Sequence, residues 1–361
     1  MSDDILEELE GENPVTAELR KKLAASERKN ATVKQLEKEI KDTQETVLRL
    51  ERELGILERI GHRNEPPKWL EAPKKSGSKH NGIPWLMLSD LHLDEVVNPE
   101  EISGVNAYNR NIALSRLNKT AENFVRITRD YWTGINYDGA VVALGGDLFS
   151  GNIHEELKET NEDTMLASLD FWIDPLADCL RMISEEYGKL HVPVVVGNHG
   201  RMTRKPRAKQ RARDNFDWFI GRALQRIFKD DPKITFDVSD NADCQIPCYD
   251  RSVMLTHGDQ ARGGGGIGGI WPPIMRLDAR KRARYDAVDQ GYELLVIGHW
   301  HQLVYGPNFI VNGSLKGYDE YAHLNSFGFE PPQQAAWLMT PEYGKTWTAP
   351  VFSQDRKAEG W

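Results

Sequence analysis

The stretch WLMLSDLHL, residues 85–93, decides the fold class, because a short apolar run ends abruptly in side chains that bind metal ions. Such a run is typical of a buried strand, and Asp90 and His92 follow it directly. The same pattern recurs in AVVALGGD ending at Asp147, VPVVVGNH ending at Asn198 and His199, VMLTH ending at His257, and LLVIGHWH ending at His299 and His301. Ligands of open α/β sheets bind beyond the carboxyl ends of the strands, so we expect these side chains to converge.

Strand and helix patterns alternate after residue 82, which predicts an α/β fold with a largely buried sheet. The apolar runs lie at 84–89, 139–144, 192–196, 252–256 and 293–297, and the helical patterns near 110–130, 162–188, 214–228 and 274–289. Closely spaced strand candidates follow at 302–306, 308–312, 334–340 and 346–351. We expect these four to form hairpins in a second sheet.

The motifs at the five strand ends resemble those of the calcineurin-like metallophosphoesterases and occur in that family's order. They are SDLH at 89–92, GGDLF at 145–149, GNHG at 197–200, THGD at 256–259 and GHWH at 298–301. The resemblance implies two facing mixed β-sheets flanked by helices. Within that family, the resemblance is nearest to the Mre11/SbcD-type DNA nucleases.

The resemblance also implies two divalent metal ions and a role for each motif residue. The first ion would be bound by Asp90, His92, Asp147 and His301, and the second by Asp147, Asn198, His257 and His299. His199 would bind neither ion and would protonate the leaving oxygen as a general acid. A metal pair clamps the attacking and leaving oxygens and lowers the pKa of a shared water, so that hydroxide forms near neutral pH. The mixed nitrogen and oxygen ligands favour Mn²⁺, with Zn²⁺ and Ni²⁺ as alternatives.

Two local features of the motifs carry further expectations. Asp90 and His92 are alternate residues, so an extended strand end would place both on one side of the chain. The family usually has Asp or Glu directly after the catalytic His, whereas this chain has Gly200. We therefore expect either that Asp259 or another acid orients His199, or that His199 is a weaker acid.

A basic loop begins two residues after the proposed general acid. Seven of the thirteen residues in RMTRKPRAKQRAR, 201–213, are Arg or Lys, although the whole chain carries a formal charge of −9. Several phosphates of a polymer would account for so many cations. We therefore expect the loop to bind substrate through Arg201, Arg204, Lys205 and Arg207. The alternative is a solvated loop whose cations satisfy acidic neighbours.

Four further features near the site bear on substrate binding. ARKRAR at 279–284 either extends the basic track or is structural. GGGGIGG at 263–269 lacks a phosphate-binding fingerprint, which favours a mobile flap, and Trp271 after it either stacks on a base or is buried. His154 either lines the substrate cleft or is an ordinary residue.

The sequence thus predicts a metal-dependent phosphodiesterase that cleaves nucleic acid, as a DNA exonuclease or endonuclease. A phosphomonoesterase or small-nucleotide phosphodiesterase is the alternative, and only the basic loop separates the two. A non-enzymatic scaffold held by a coiled coil is disfavoured, because all ligand positions are filled.

The N-terminal region differs in composition from the rest. We expect an acidic disordered tail at 1–14, a coiled-coil helix at 15–60, a linker at 61–81 and the metallophosphoesterase domain at 82–361. The heptad seam consists of Val33, Leu36, Ile40, Thr43, Val47, Leu50, Leu54 and Leu57. It predicts a homodimer or a partner helix, or else one amphipathic helix that packs on its own domain. The sequence gives no information on an ATPase partner.

Composition narrows the cellular setting. No apolar run reaches the roughly 20 residues that span a bilayer, and the acidic N-terminus lacks a signal-peptide pattern. Three cysteines are too few for a disulfide framework. We expect a cytoplasmic protein with reduced thiols and no membrane partner.

Removal of residues 1–60 is expected to lower the oligomeric state, because the predicted association surface is lost. Light scattering gives this state as the molar mass per particle divided by the mass of one chain, and the metal content per chain is expected to stay constant. An unchanged oligomeric state would rule out the coiled-coil interpretation.

Overall fold

The computed structural model describes residues 66–71, 80–263 and 269–360, together with isolated helical positions between 18 and 46. The chain divides into two compact units, Met1–Glu65 and Pro66–Trp361. The predicted acidic tail lies outside the described residues, and so does the heptad seam except for Thr43. The coiled coil therefore stays a prediction.

The second unit alternates strands and helices. The strands are β1 (Asn81–Leu88), β2 (Asn136–Tyr137), β3 (Ala140–Leu144), β4 (Leu190–Val194), β5 (Ile234–Val238), β6 (Asp243–Cys248), β7 (Arg251–Thr256), β8 (Leu294–Ile297), β9 (Val304–Tyr305), β10 (Phe309–Val311), β11 (Gln333–Thr340) and β12 (Gly344–Phe352). The α-helices are α1 (Lys68–Glu71), α2 (Arg110–Arg126), α3 (Glu155–Thr160), α4 (Met165–Tyr187), α5 (Phe216–Ile227), α6 (Trp271–Asp286), α7 (Glu320–Leu324) and α8 (Arg356–Glu359).

Two mixed sheets contain all of these strands. The first has the order β12-β11-β1-β3-β4-β5, with β2 paired to β1. Its four strands β1, β3, β4 and β5 are parallel, while β11 pairs antiparallel with β1 and β12 pairs antiparallel with β11. The second sheet has the order β6-β7-β8-β10-β9, and its strands β7, β8 and β10 are parallel. In each sheet the parallel strands direct their carboxyl ends to one edge.

Alternate side chains along the strands face different cores, and the two sheets pack face to face. Leu86 and Leu88 of β1 join the core beneath α2 and α4, whereas Trp85 and Met87 face a core shared with β6, β7 and β8. A third core lies between α6 and the outer face of the second sheet. Since successive side chains of a strand point to opposite faces, the sheets are stacked between helical layers.

The structure confirms the predicted α/β fold of two facing mixed sheets flanked by helices. One expectation was wrong, because β11 and β12 form a hairpin that extends the first sheet rather than the second. Strand β1 offers β11 an open edge, and Trp85 stacks on Trp337 across that pair with ring centroids 5.3 Å apart. Part of the predicted linker is also folded, since Leu70 of α1 is fully buried.

Two further expectations concern the described part of the chain. None of its helices is long and apolar enough to cross a bilayer. The three cysteines, Cys179, Cys244 and Cys248, are free and buried, as expected.

A buried ion pair fixes the C-terminal helix. Arg116 of α2 donates to both carboxylate oxygens of Glu359 at 3.1 Å, and neither side chain is exposed to solvent. The same guanidinium donates to the carbonyls of Leu315 and Lys316. The Arg116 guanidinium therefore connects α8 to residues 315 and 316, which follow β10.

Replacement of Glu359 by Ala is expected to lower the free energy of unfolding by about 3 kcal/mol, because the Arg116 charge stays buried without its partner. Urea denaturation measures the loss. The matched control is Lys357→Ala, which removes an exposed side chain of the same helix. Equal stability of the two variants would contradict a contribution of the ion pair.

Candidate metal centre

The structure brings the predicted site residues together at the carboxyl ends of strands from both sheets. β1, β3 and β4 of the first sheet, and β7 and β8 of the second, each end beside the cluster. Three groups of residues each bring possible ligand atoms within 4.8 Å of one another. They are Asp90 with His92 and His301, Asp147 with His257 and His299, and His92 with Asp147 and His199. Asp147 belongs to two groups, and His92 connects one of them to the group of Asp90 and His301.

The site backbone is left-handed where we expected an extended chain. Five of the eight predicted residues have positive φ, namely Asp90 (53°), His92 (48°), Asp147 (50°), His299 (70°) and His301 (52°). The expectation that Asp90 and His92 project from an extended strand is therefore wrong, because β1 has already ended at Leu88. Strained conformations of this kind cluster at functional sites.

Two glycines give the carboxylates their room. A Cβ atom on Gly197 would lie 2.1 Å from Oδ1 of Asp147, and one on Gly298 would lie 2.2 Å from Oδ2 of Asp90. Any larger residue would displace the carboxylate it faces. Gly197 and Gly298 are thus required because the carboxylates of Asp147 and Asp90 approach their backbones closely.

Asp147 and His257 form the centre of one group. Nδ1 of His257 lies 2.9 Å from the Gly145 carbonyl, while Nε2 lies 2.9 Å from Oδ2 of Asp147 and 3.2 Å from Oδ1 of Asn198. With its proton on Nδ1, the ring directs a lone pair at two oxygens, which is unfavourable unless a cation lies among them. Although burial opposes it, the Asp147 and Asp90 charges raise the pKa of His257 to about 10, so this arrangement favours a positive charge.

Asp90, His92 and His301 form the neighbouring group. The two Nε2 atoms of His92 and His301 lie 3.1 Å apart, and that of His301 lies 3.5 Å from Oδ1 of Asp90. Burial, with the charges of Lys316 and His199, lowers the pKa of His92 to about 4, so its ring is neutral at physiological pH. Neutral imidazoles and carboxylates are ligands of divalent ions. The residues of both groups therefore fit a pair of metal ions.

His199 lies at the edge of both groups. Its Nδ1 lies 2.8 Å from the Ser150 carbonyl, and its backbone N–H donates to Oδ1 of Asp147 at 2.6 Å. Its ring is perpendicular to that of His92, with centroids 4.6 Å apart, and the His154 ring lies 6.0 Å away. His154 therefore lies beside the predicted general acid, as one of its two interpretations requires.

Sequence reasoning missed the polar residues that hold the ligands. Oε2 of Glu95 lies 3.0 Å from Nδ1 of His92, and its other oxygen accepts from buried Lys316 at 2.7 Å. Asn312 donates to Ser89 at 2.8 Å, and Ser89 in turn donates to the Asp90 carboxylate. Asp217 was missed as well. Burial and the Asp147 charge raise the pKa of Asp217 to about 6, so the carboxylate still predominates at neutral pH.

The basic loop is closed at its base, and its cations are of two kinds: some are bonded to the rest of the domain and the others are exposed. Arg201 bridges to Asn215 across the base, and its guanidinium donates to the carbonyls of Asn198 and Thr203 at 3.0 Å. Arg211 pairs with Asp259 at 2.7 Å and Arg213 with Asp240 at 3.1 Å. The remaining cations, Arg204, Lys205, Arg207 and Lys209, are exposed, and none forms an ion pair with another described residue.

The second basic cluster is mostly structural. Lys281 and Arg284 both pair with Asp243, and Arg282 pairs with Asp278 at 2.9 Å. The interpretation that this cluster extends the basic track is therefore not supported. Trp271 is 44% exposed and packs edge-on against Phe309, so it is not buried. The predicted flap lies outside the described residues except at its ends.

Comparison with known proteins gives structural similarity alone. No family model matches the chain, and no curated protein does. The chain is similar to Vacuolar Protein Sorting 29 from Cryptosporidium parvum, at 14% identity over 74% of this chain and 96% of that chain, with a TM-score of 0.29. It is similar to a predicted phosphoesterase from Streptococcus pneumoniae, at 10% identity over 74% and 97% of the two chains, with a TM-score of 0.28.

A dimetal phosphatase from Danio rerio is similar at 9% identity over 75% of this chain and 99% of that chain, with a TM-score of 0.34. Because these TM-scores lie below 0.5, the function proposed below depends on the side chains of this chain.

Proposed function

We propose that the chain is a metal-dependent phosphodiesterase that hydrolyses nucleic-acid phosphodiester bonds at a dinuclear centre. The observation that carries this proposal is the convergence of seven nitrogen and oxygen ligands from five strand ends around Asp147. Four exposed cations on the adjoining loop favour a polymeric substrate. A phosphomonoesterase or small-nucleotide phosphodiesterase is the alternative that the experiments below separate.

Two metal ions would be held by these residues, with Asp147 available to both. Asp90, His92 and His301 would hold the first ion, and Asn198, His257 and His299 would hold the second. Divalent ions in such a centre polarise a phosphoryl oxygen and lower the pKa of water. The seven ligands include only two carboxylates, so the loaded site has a net positive charge and attracts phosphate. Nitrogen and oxygen ligands together suit Mn²⁺.

His199 is the proposed general acid. The Ser150 carbonyl holds one ring nitrogen, and the ring stands against His92 at the edge of the ligand cluster. From this position a proton on the other ring nitrogen can pass to the leaving oxygen. The main-chain contact with Asp147 fixes the distance between the acid and the metal positions.

The basic loop supports a nucleic-acid substrate over a small ester. Its structural members, Arg201, Arg211 and Arg213, fix the loop to the site, while its exposed members remain free for phosphates. A monoester would use one or two such contacts, whereas four cations along one loop match successive phosphates of a strand. Specific base recognition is not required for this interaction.

Incubation with Mn²⁺ is expected to cleave end-labelled single-stranded or double-stranded DNA, and Asp147→Ala is expected to abolish cleavage because both metal positions lose a ligand. A denaturing gel records the time course and shows whether cleavage proceeds from an end. Bis-p-nitrophenyl phosphate is assayed in parallel. Intact DNA together with hydrolysis of the small ester would replace the nuclease proposal by the alternative.

Replacement of Arg204, Lys205 and Arg207 by Gln is expected to raise the KM for DNA and to leave hydrolysis of bis-p-nitrophenyl phosphate unchanged. Loss of three phosphate contacts should reduce the slope of log affinity against log salt by about 2 to 3. The matched control replaces the exposed residues Arg226, Lys229 and Lys233, which lie near the amino end of β5. Equal effects in both triple variants would show that net charge alone matters.

A further inference from the structure

Asp217 joins the two loops that carry the central ligands. Its carboxylate is fully buried at the start of α5 and accepts three backbone N–H groups. Oδ2 accepts from Asp147 at 3.0 Å and from Gly197 at 2.9 Å, and Oδ1 accepts from Leu148 at 3.1 Å. Two of these donors follow β3 and the third follows β4. One side chain therefore sets the distance between Asp147 and Asn198.

The start of α5 is itself fixed against the same loop. Asn215 caps the helix by accepting from the Asp217 N–H at 2.8 Å, and it donates to the Gly197 carbonyl at 2.8 Å. The Phe216 N–H donates to the Gly200 carbonyl at 2.7 Å. Asp217 consequently has little freedom to move away from the two loops.

The space beside Asp217 explains the glycine after His199. A Cβ atom on Gly200 would lie 2.3 Å from Oδ1 of Asn215 and 3.0 Å from Cγ and Oδ2 of Asp217. A side chain at position 200 and the carboxylate of Asp217 therefore compete for one volume. A glycine at position 200 leaves this volume to Asn215 and Asp217.

The other candidate acid is already committed. Asp259 accepts from Arg211 at 2.7 Å, and this pair holds the basic loop. Asp217, in contrast, accepts from main-chain donors of Asp147, Leu148 and Gly197, which belong to the ligand-bearing loops.

We propose that Asp217 is a positioning residue that sets the geometry of the metal centre by holding together the loops of Asp147 and Asn198. This inference rests on the proposed function in one respect, namely that Asp147 and Asn198 bind metal. An Asn at position 217 has one acceptor oxygen and directs an N–H₂ group at a backbone donor, so at least one of the three contacts is lost. The two loops then no longer present their ligands at one fixed distance.

The test compares Asp217→Asn with Asp138→Asn in the full-length protein. Asp138 is equally buried and accepts from the Tyr249 hydroxyl at 3.0 Å, but it precedes β3 and so lies at the opposite end of that strand from Asp147. Titration calorimetry with Mn²⁺ and metal analysis after dialysis are the readouts. We expect Asp217→Asn to bind Mn²⁺ about tenfold more weakly, and Asp138→Asn to bind it as the wild type does.

Saturating Mn²⁺ provides the second readout. All direct ligands remain in Asp217→Asn, so excess metal is expected to restore hydrolysis of bis-p-nitrophenyl phosphate. Asp147→Ala lacks a ligand and is expected to stay inactive. Unaltered Mn²⁺ affinity in folded Asp217→Asn would overturn the inference, and so would an equal loss of affinity in Asp138→Asn.

A milder variant covers the case in which Asp217→Asn does not fold. Gly200→Ala removes no polar group but pushes Asn215 and Asp217 away from the loops, so Mn²⁺ affinity should fall here too. Wild-type affinity in Gly200→Ala would then overturn the inference. Metal binding by the wild type without any ester hydrolysis would refute the proposed function alone, whereas absence of metal binding would refute both.

Discussion

The carboxylate of Asp147 is the interaction on which the rest of the site depends. It is fully buried where the two sheets meet, with one oxygen accepting from the backbone of His199 and the other facing His257 of the second sheet. A buried negative charge needs compensation, and the surrounding rings and amides are arranged to supply it. Packing of the sheets therefore determines the chemistry, because any shift between them would separate this oxygen from its partner.

The fold also sustains conformations that the local sequence disfavours. Each non-glycine residue in a sparsely populated backbone region costs on the order of 1–3 kcal/mol, and five of the proposed metal ligands have such a backbone conformation. The strands behind them are buried on both faces, and the turns are hydrogen bonded between neighbouring strand ends, as from Asp90 N to the Gly146 carbonyl. Rigidity of the sheets thus maintains ligand positions that an isolated loop would abandon.

The sequence predicted the four long helices and all the described strands except β2, β5 and β6. It also singled out eight residues whose side chains the structure brings together, because apolar runs ending in His, Asp or Asn have a simple physical meaning. It did not predict the sheet joined by β11, since pairing partners depend on which edge is open rather than on local composition. Asp217 was missed for a related reason: it lies within a helix, 70 residues from Asp147, and only folding brings the two together. The left-handed backbone at Asp90 could not be predicted from the sequence either, because Asp is common both at the ends of strands and in turns.

The paired base of the basic loop has a consequence for how such a protein can diversify. Met202 donates to the Asp214 carbonyl at 3.1 Å and Arg201 bridges to Asn215, so the segment between them leaves and rejoins the domain at one place. Lengthening a loop whose ends stay fixed adds only a small entropic cost. Under the proposed function, substitutions and insertions in this segment would alter which substrates bind while leaving the proposed metal ligands unchanged.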